Sequence, residues 1–491
     1  MRQLSAQDAS FLYLESQGAH LHLTALYIYD PSSAPAGKVS YGDILRHVGS
    51  RLHISPVFRQ KVLKLPLNVD FPYWVDDHEF DLESHFRRIT LPAPSDWREL
   101  CTLVARIHSL PLDLSRPPWE MHVVEGLDSV EGIPEGAFAI VARYHHAAVD
   151  GATGTVILSR LHDTSNVVCA SPESTPWAPE VAPDTIGLMT RAAANNARTP
   201  FRLAKAVAAS VPALGRRLLQ SEQTDIGRPA RVPMTRFNKP VSPRRVFDGL
   251  TFELEELGPI RAAVAGATIN DVVLAICGGT LREYLTSKDE LPAESLIAMA
   301  PINIRTPDRQ GIAGTMISMM FVPIHTEIAD PIERLRAIRD ATRSEKELKN
   351  ALSARQMTDI ATHIPASTQA LAGRLITGLG LGHRAIRMCN CTITNVPGPQ
   401  KPLYLKGAKL LRATGCGPVI DGMGLIIGAM SYNGQISFSF TSCREIMPEP
   451  GFFSECALGS FRALKTGAGT GSRLKAHGRQ EFNEENNTPT G

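Results

Sequence analysis

The sequence predicts an α/β protein of two domains. Three observations lead there. A chain of 491 residues is too long for one ordinary core. Helix and strand patterns alternate through the first 165 residues. A second alternating run, from about 236 to 466, follows a break rich in Pro, Ser and Glu at about 165–185. Hydrophobic residues make up 43% and charged residues 20%, enough apolar surface for globular folding.

Taken in order, "SAQDASFLYLES" opens on Ser5, a good N-cap, and continues with helix-forming residues. "HLHLTALYIYD" (20–30) alternates and is rich in aromatic and aliphatic residues, so it reads as a strand. In "DWRELCTLVARIHSLPL" (96–112), Leu100, Leu103, Val104, Ile107 and Leu110 share one helical face. "PWEMHVVEGL" (118–127) and "GAFAIVARYHH" (136–146) are strands, and "GTVILSRLHD" (154–163) is the helix that follows them. In the second half, 244–254 and 295–305 read as strands, and 270–285 and 330–350 as helices. "GLIIGAMSYNGQISFSFTSC" (424–443) is a hairpin turning at Asn433-Gly434. The divisions are 1–184, 185–235, 236–466 and a polar tail, 467–491, expected to be disordered.

The charges nearly cancel, 51 basic against 49 acidic, so nothing global points to nucleic acid. No solenoid or propeller period is visible. The eight cysteines form no C-x-x-C, and the pattern suits reduced, buried thiols rather than disulfides or zinc. The N-terminus lacks the apolar core of a signal peptide. No apolar run reaches the ~18 residues that a membrane span needs, so membrane contact is expected to be peripheral. One segment suits such contact. From 186 to 220 there is no acidic residue, while Arg191, Arg198, Arg202, Lys205, Arg216 and Arg217 are basic. A basic amphipathic stretch can lie on an anionic lipid surface, and it can equally be an interdomain helix pair with a solvated face.

The chemistry concentrates in "RYHHAAVDGATG" (143–154). Imidazole has an ordinary pKa near 6.5, so at neutral pH it can accept a proton. A strand-to-helix turn would present His146 at a sheet edge, with Asp150 held in the same turn and Gly151 letting the backbone bend. The aspartate could fix the loop through an arginine or orient the ring. The residues alone leave three readings open: a proton-transfer base, a metal ligand, or a buried structural pair. The metal reading is the weakest, because adjacent strand residues face opposite ways and the helical His-Glu-x-x-His spacing is missing.

His145-His146-Ala147-Ala148-Val149-Asp150-Gly151 resembles the HHxxxDG signature of CoA-dependent acyltransferases, which include chloramphenicol acetyltransferase, plant alcohol acyltransferases and condensation domains. "LSAQDASFLYLES" (4–16), "PLDLSRPPWEMHVVEGL" (111–127), "TINDVVLAICGGTLREYL" (268–285), "PINIR" (301–305), "TNVPGP" (394–399) and "DGMGLIIGAMSYNG" (421–434) narrow the resemblance. Together they are similar to bacterial wax ester synthase/diacylglycerol acyltransferases, over nearly the whole chain. Pro118 departs from the family's usual Pro-Leu-Trp, and Thr315 stands where Asn is common.

The resemblance implies two chloramphenicol-acetyltransferase-like α/β domains, with the catalytic histidine and a substrate tunnel at their interface. It implies transfer of a fatty acyl group from acyl-CoA to diacylglycerol or a long-chain alcohol, with acyl-CoA as substrate and no cofactor or metal. His146 is the expected general base, with no covalent intermediate. Asn270 is the candidate oxyanion donor, with helix capping by Asn270-Asp271 as the plain alternative. Asp150 is assigned to loop architecture, with Arg305 as its ion-pair partner. His145 and Trp119 are assigned to packing, Trp119 near an acyl channel. Gly422, Gly424 and the Ser431-Asn433-Gly434 turn are backbone requirements. The implied location is cytoplasmic, peripheral to the inner face of the membrane or to lipid bodies. Three other readings compete: a related acyltransferase with another alcohol acceptor, a non-catalytic lipid-body protein, and a metal hydrolase.

Overall fold

The computed structural model describes residues 1–16, 18–35, 37–167, 177–181, 183–184, 186–197, 232–303, 317–351, 366–378 and 388–484. Among them the strands are β1 (Arg2–Gln3), β2 (His22–Asp30), β3 (Gln60–Leu63), β4 (Tyr73–Asp76), β5 (Phe86–Thr90), β6 (Trp119–Glu125), β7 (Phe138–His145), β8 (Arg245–Glu253), β9 (Ile297–Asn303), β10 (Ile317–Pro323), β11 (Cys391–Pro397), β12 (Tyr404–Leu405), β13 (Ala408–Cys416), β14 (Ile426–Tyr432) and β15 (Gln435–Cys443). They form two six-stranded sheets, β12-β13-β2-β7-β6-β5 and β10-β9-β11-β14-β15-β8, and a small sheet, β1-β4-β3.

The first sheet is covered on both faces, which explains the unbroken apolar run of β7. Phe138, Ile140, Ala142 and Tyr144 face helices α2 (Tyr41–Arg51) and α4 (Gly151–Leu161), meeting Ile44, Val48, Ile157 and Leu158. Ala139 and Val141 point the other way, onto Leu100, Val104 and Ile107 of α3 (Trp97–Ser109). This two-residue alternation puts Arg143 on the α3 side. Its guanidinium donates to the carbonyls of Ile107 (3.0 Å) and Leu110 (2.6 Å) and to Glu120 Oε2 (2.6 Å). Leu110, expected on the apolar face of α3, is its C-cap and is exposed. Across the molecule, α3 also meets β8: Trp97 Nε1 donates to Asp248 Oδ1 at 2.7 Å, and Phe247 joins the α3 cluster.

The second sheet buries one face against α6 (Leu257–Ala263), α7 (Ile269–Thr286) and the C-terminal helix Pro450–Glu484. Its β14–β15 hairpin turns where the sequence places it, with Asn433 and Gly434 at φ 47° and 81°, the left-handed pair that a tight two-residue turn needs.

Topology departs from a clean division of the chain at residue 236. Strands β12 and β13 belong by sequence to the second half, yet β13 pairs antiparallel with β2 of the first sheet, from Lys409↔Asp30 to Cys416↔Thr24. Neighbouring strands β11 and β14 are parallel, so residues 398–425 must cross over between them. That crossover is lodged in the other sheet.

The basic stretch begins as a helix, α5 (186–197). Its Leu188 and Ala192 pack on Leu65 and on Tyr73 and Val75 of β4. Residues 198–231, with Arg198, Arg202, Lys205, Arg216 and Arg217, lie outside the described residues, as do Arg305 and Thr315. The C-terminal helix, Pro450–Glu484, runs on into the segment that the sequence reading sets apart as the tail. The residues Arg473, Lys475, Arg479, Gln480 and Glu481 in it are good helix formers. Among the described residues no helix is long and apolar enough to cross a membrane.

Gly415 tests the crossover. A Cβ added there would lie 2.0 Å from the Thr24 carbonyl oxygen, backbone against backbone, whereas one at Gly469 meets nothing within 4 Å. Gly415→Ala is expected to destabilise by about 1–3 kcal/mol, read as a lower urea midpoint, and Gly469→Ala is expected to cause no loss.

Candidate active site

The site is built on the turn between β7 and α4. Strand β7 is held at its end by two neighbours: the His145 N–H donates to the Pro118 carbonyl (3.0 Å) and the His146 N–H to the Leu21 carbonyl (2.9 Å). The chain then turns, with Ala148 and Val149 N–H groups both donating to the His145 carbonyl. Asp150 caps α4: it is buried, and its Oδ1 accepts from the Thr153 N–H at 2.7 Å. No hydrogen bond joins Asp150 to either imidazole among the described residues, so its observed work is capping. Its expected partner, Arg305, lies outside the described residues. Gly151 keeps an ordinary φ, which corrects the sharp-bend expectation. What its small size allows is contact: a Cβ there would sit 3.4 Å from Val396 Cγ2 of β11.

The two histidines differ. His145 is fully buried. Its Nδ1 accepts from the Ala147 N–H (3.1 Å), which leaves the ring proton on Nε2, 3.4 Å from Glu15 Oε1. Glu15 Oε1 also accepts from the Leu21 N–H at 2.9 Å. Burial pushes the Glu15 carboxyl up, but the facing His145 and the Leu21 amide outweigh it and hold it below the ordinary carboxylate value. His145 is thus a packed, hydrogen-bonded residue, as its sequence position suggests. His146 is half-buried. Its ring stacks on Phe11 of α1 (Ala6–Tyr13), centroids 4.1 Å apart and planes 20° apart. Its Nδ1 is buried with no hydrogen bond to another described residue. Burial lowers the His146 pKa below its ordinary value; a hydrogen bond between the ring and the residue's own backbone, and then Asp150, oppose the shift, and His145 adds to it. The ring is therefore neutral at neutral pH and able to take a proton.

Asn270 comes from the second domain, at the start of α7. Capping of α7 is done by others. Thr268 is the N-cap, its Oγ1 accepting from the Asp271 N–H, and Asp271 Oδ2 accepts in return from the Thr268 N–H at 2.8 Å. That frees the Asn270 amide of capping duty. Its Oδ1 accepts from Asn395 Nδ2 of β11 at 3.4 Å, a long hydrogen bond. Asn395 is next to Val396, the residue that meets Gly151. One short piece of β11 therefore touches the N-terminal turns of both α4 and α7, and both helix dipoles present their positive ends there.

Trp119, by contrast, is a core residue. Its Nε1 donates to the Phe58 carbonyl (3.1 Å), its ring stacks on His85 at 4.3 Å, and it is 1% exposed. Gly422 adopts φ 84°, a backbone requirement as expected. Among the described residues no three His, Cys, Asp or Glu side chains cluster as metal ligands. Sequence reasoning missed Phe11, Glu15 and Asn395 as individual residues, although all three lie in the segments 4–16 and 394–399 that carry the family resemblance.

The sequence and the fold are similar to those of known proteins. The family model for the wax ester synthase/diacylglycerol acyltransferase catalytic domain matches residues 4–273, and that for the C-terminal domain of the same enzymes matches 313–465. A putative diacylglycerol O-acyltransferase of Mycobacterium tuberculosis is 32% identical over 455 residues, covering 91% of this chain and 87% of the relative. The solved wax ester synthase/diacylglycerol acyltransferase of Marinobacter aquaeolei VT8 superposes with a TM-score of 0.68 at 26% identity, over 96% of this chain and all of that one. The first condensation domain of the calcium-dependent antibiotic synthetase shares the two-domain fold, with a TM-score of 0.55 at 15% identity, over 95% of this chain and 96% of that one.

The capping role of Asp150 has a direct test. Asp150→Ala is expected to cost about 1 kcal/mol of stability, while Asp150→Asn, an equally good cap, keeps most of it; thermal melts of the two variants compare them.

Proposed function

The chain belongs to the wax ester synthase/diacylglycerol acyltransferase family, and on that premise we propose that it moves a fatty acyl group from acyl-CoA to the hydroxyl of diacylglycerol or a long-chain alcohol. The observation that most supports this reading is the meeting at β11. The His146 turn and the uncapped amide of Asn270 are brought from different domains to adjacent residues, Val396 and Asn395.

In the proposed reaction His146 is the general base. Its Nδ1 is enclosed, so Nε2 takes the proton from the acceptor hydroxyl as that oxygen attacks the thioester carbonyl. The carbonyl oxygen becomes an oxyanion, stabilised by the Asn270 amide and the two helix N-termini. The C–S bond then breaks, and the imidazolium returns its proton to the CoA sulfur. The products are an ester and free CoA. No covalent enzyme intermediate and no cofactor are needed, since acyl-CoA is a substrate. Asp150 holds the turn, and His145 anchors it through Glu15.

The acceptor is a membrane lipid in this reading, so the protein works peripherally at a lipid surface. The sequence of 186–220, basic and without acidic residues, supports that, as does α5, which leaves Ile186, Met189 and Arg191 exposed beside its packed face.

Two experiments test these readings. Purified protein given palmitoyl-CoA with dioleoylglycerol or hexadecanol is expected to make both esters, and His146→Ala to lose at least roughly 100-fold in rate. Because the base works neutral and its pKa is lowered, kcat/KM should stay flat from pH 7 to below the ordinary histidine value of ~6.5 before falling. A His146→Ala variant at the normal rate would end the mechanism. On anionic vesicles, replacing Arg191, Arg198 and Arg202 by Gln is expected to weaken binding by roughly 100-fold, at ~1 kcal/mol per basic residue, with a strong salt dependence. Unchanged binding would remove the docking assignment.

A further inference from the structure

One hydrophobic side chain is anomalous in two ways. Leu67, in the connection between β3 and β4, is 89% exposed, the most exposed large hydrophobic side chain among the described residues. It also holds a left-handed backbone, φ 56° and ψ 10°. The other non-glycine residues with positive φ among the described residues are Asn68, Ser95, Asp289, His325, Lys406 and Asn433, all polar. Asparagine or glycine would adopt this conformation at less cost and would leave no apolar side chain in water. Neither folding nor solubility accounts for a leucine here.

The tip is pinned in place. The Leu65 carbonyl accepts from the Asn68 N–H (3.2 Å) and the Pro66 carbonyl from the Val69 N–H (3.3 Å). Leu65 is buried in the cluster under α5, and Val69 packs against it. Helix α5 fastens the base. Asn196 Nδ2 donates to the Val69 carbonyl (2.7 Å), and Asn195 Nδ2 donates to Asp70 Oδ2 (2.8 Å), which also accepts from the Tyr73 hydroxyl (2.9 Å). The helix Ala366–Gly378 also lies against the tip, burying Ala370 and leaving Leu371 exposed. Exposed Leu67, Leu371, Ile186 and Met189 are thus carried on the tip and on two helices that adjoin it.

Charge says what covers them. Residues 64–69, 186–197 and 366–378 contain no acid, while Lys64, Arg191 and Arg374 are basic. Lys64 and Arg191 are exposed. The bordering acids are occupied: Asp70 is buried on the partners just named, and Asp184 Oδ1 accepts from the Gly187 N–H at 2.9 Å. In sequence α5 leads directly into Arg198, Arg202 and Lys205. Exposed apolar side chains among cations, with no free carboxylate between them, match a surface of anionic headgroups over acyl chains.

We infer that Leu67 is an insertion anchor for an anionic lipid surface, with α5 and the helix Ala366–Gly378 beside it as the docking face. The inference rests on the membrane reading of the function and deepens it by naming the side chain that enters the lipid. It also sets an orientation. Gly373 packs so closely on α1 that a Cβ there would lie 2.7 Å from the Tyr13 carbonyl oxygen. Phe11, two residues before Tyr13, stacks on His146. A lipid acceptor released at this face would reach the His146 turn from the α1 side.

The test uses the full-length protein with vesicles of phosphatidylcholine, with and without phosphatidylglycerol, at low and high salt. Asparagine suits the left-handed backbone, so Leu67→Asn should melt no lower than the unaltered protein. Its affinity for the anionic vesicles should nevertheless fall by roughly 10-fold, the scale of keeping one leucine side chain in water. That loss should persist at high salt, whereas the loss caused by Arg191→Gln should shrink as salt screens it. Leu67→Trp should still bind, and the added ring should shift its emission to the blue on anionic vesicles and be quenched by brominated lipid, beyond the signal of the four native tryptophans. If the unaltered protein binds anionic vesicles and Leu67→Asn binds them equally well, the anchor is overturned and the wider membrane reading stands. If the unaltered protein binds neither kind of vesicle, both fall together. Self-association that Leu67→Asn abolishes, without vesicle binding, would make the tip an interface between copies of the chain and overturn the lipid assignment.

Discussion

Strand β13 leaves the half of the chain it belongs to and hydrogen-bonds along β2, so closely that the backbone at Gly415 admits no side chain against Thr24. Much else follows from this pairing. The chain before β13 is β11 and the chain after it is β14, adjacent parallel strands of the other sheet. With their connection fixed in the first sheet, the end of β11 is tethered beside it. That tether brings Asn395 and Val396 to the start of α4, and the same strand carries Asn395 to the start of α7. The two domains are therefore coupled through main chain at the place where their chemically important residues meet. The contacts of α3 with β8, including Trp97 to Asp248, add a second seam on the opposite side of the first sheet.

Around that junction the polar groups divide into those with partners and those without. Arg143, Glu120, Glu15, His145, Asp150, Thr268 and Asp271 are all tied into hydrogen bonds or ion pairs that hold strand ends and helix starts. Arg143 Nε, His145 Nε2 and His146 Nδ1 are nevertheless buried with no hydrogen bond to another described residue, and the Asn270 amide has only a long contact with Asn395. Unpartnered polar groups inside a protein cost free energy, commonly about 1–3 kcal/mol each. The surroundings also set the proton affinities in opposite senses: burial keeps His146 neutral, while His145 keeps Glu15 charged.

Local pattern carried much of the fold. The apolar runs of β2, β6 and β7, the amphipathic face of α3, the Ser5 cap and the Asn433-Gly434 turn are all short-range features, and they stand where periodicity and turn chemistry place them. What failed was long-range or ambiguous. Nothing local in residues 404–416 says that they pair with residues 24–30, because a strand's edge does not name its partner. In the site, His146 was legible from the signature it sits in. Asn270 was ambiguous with capping until Thr268 and Asp271 were seen to cap each other. Phe11 is an apolar residue in an amphipathic helix, and no pattern distinguishes one that stacks on an imidazole from one that fills a core.

The lodged crossover also bears on how such proteins can diversify. Residues 398–425 are encoded with the back half but serve as part of the front sheet. A recombination event that exchanged front halves at the segment between the sheets would pair a foreign β2 with a native β13, and the seam would have to match atom for atom at Gly415. Exchange of a block that includes 398–425 together with the front half would carry its own fit with it. The natural unit of inheritance in this architecture is therefore discontinuous in the gene, and shuffling at the obvious linker is the least favourable cut.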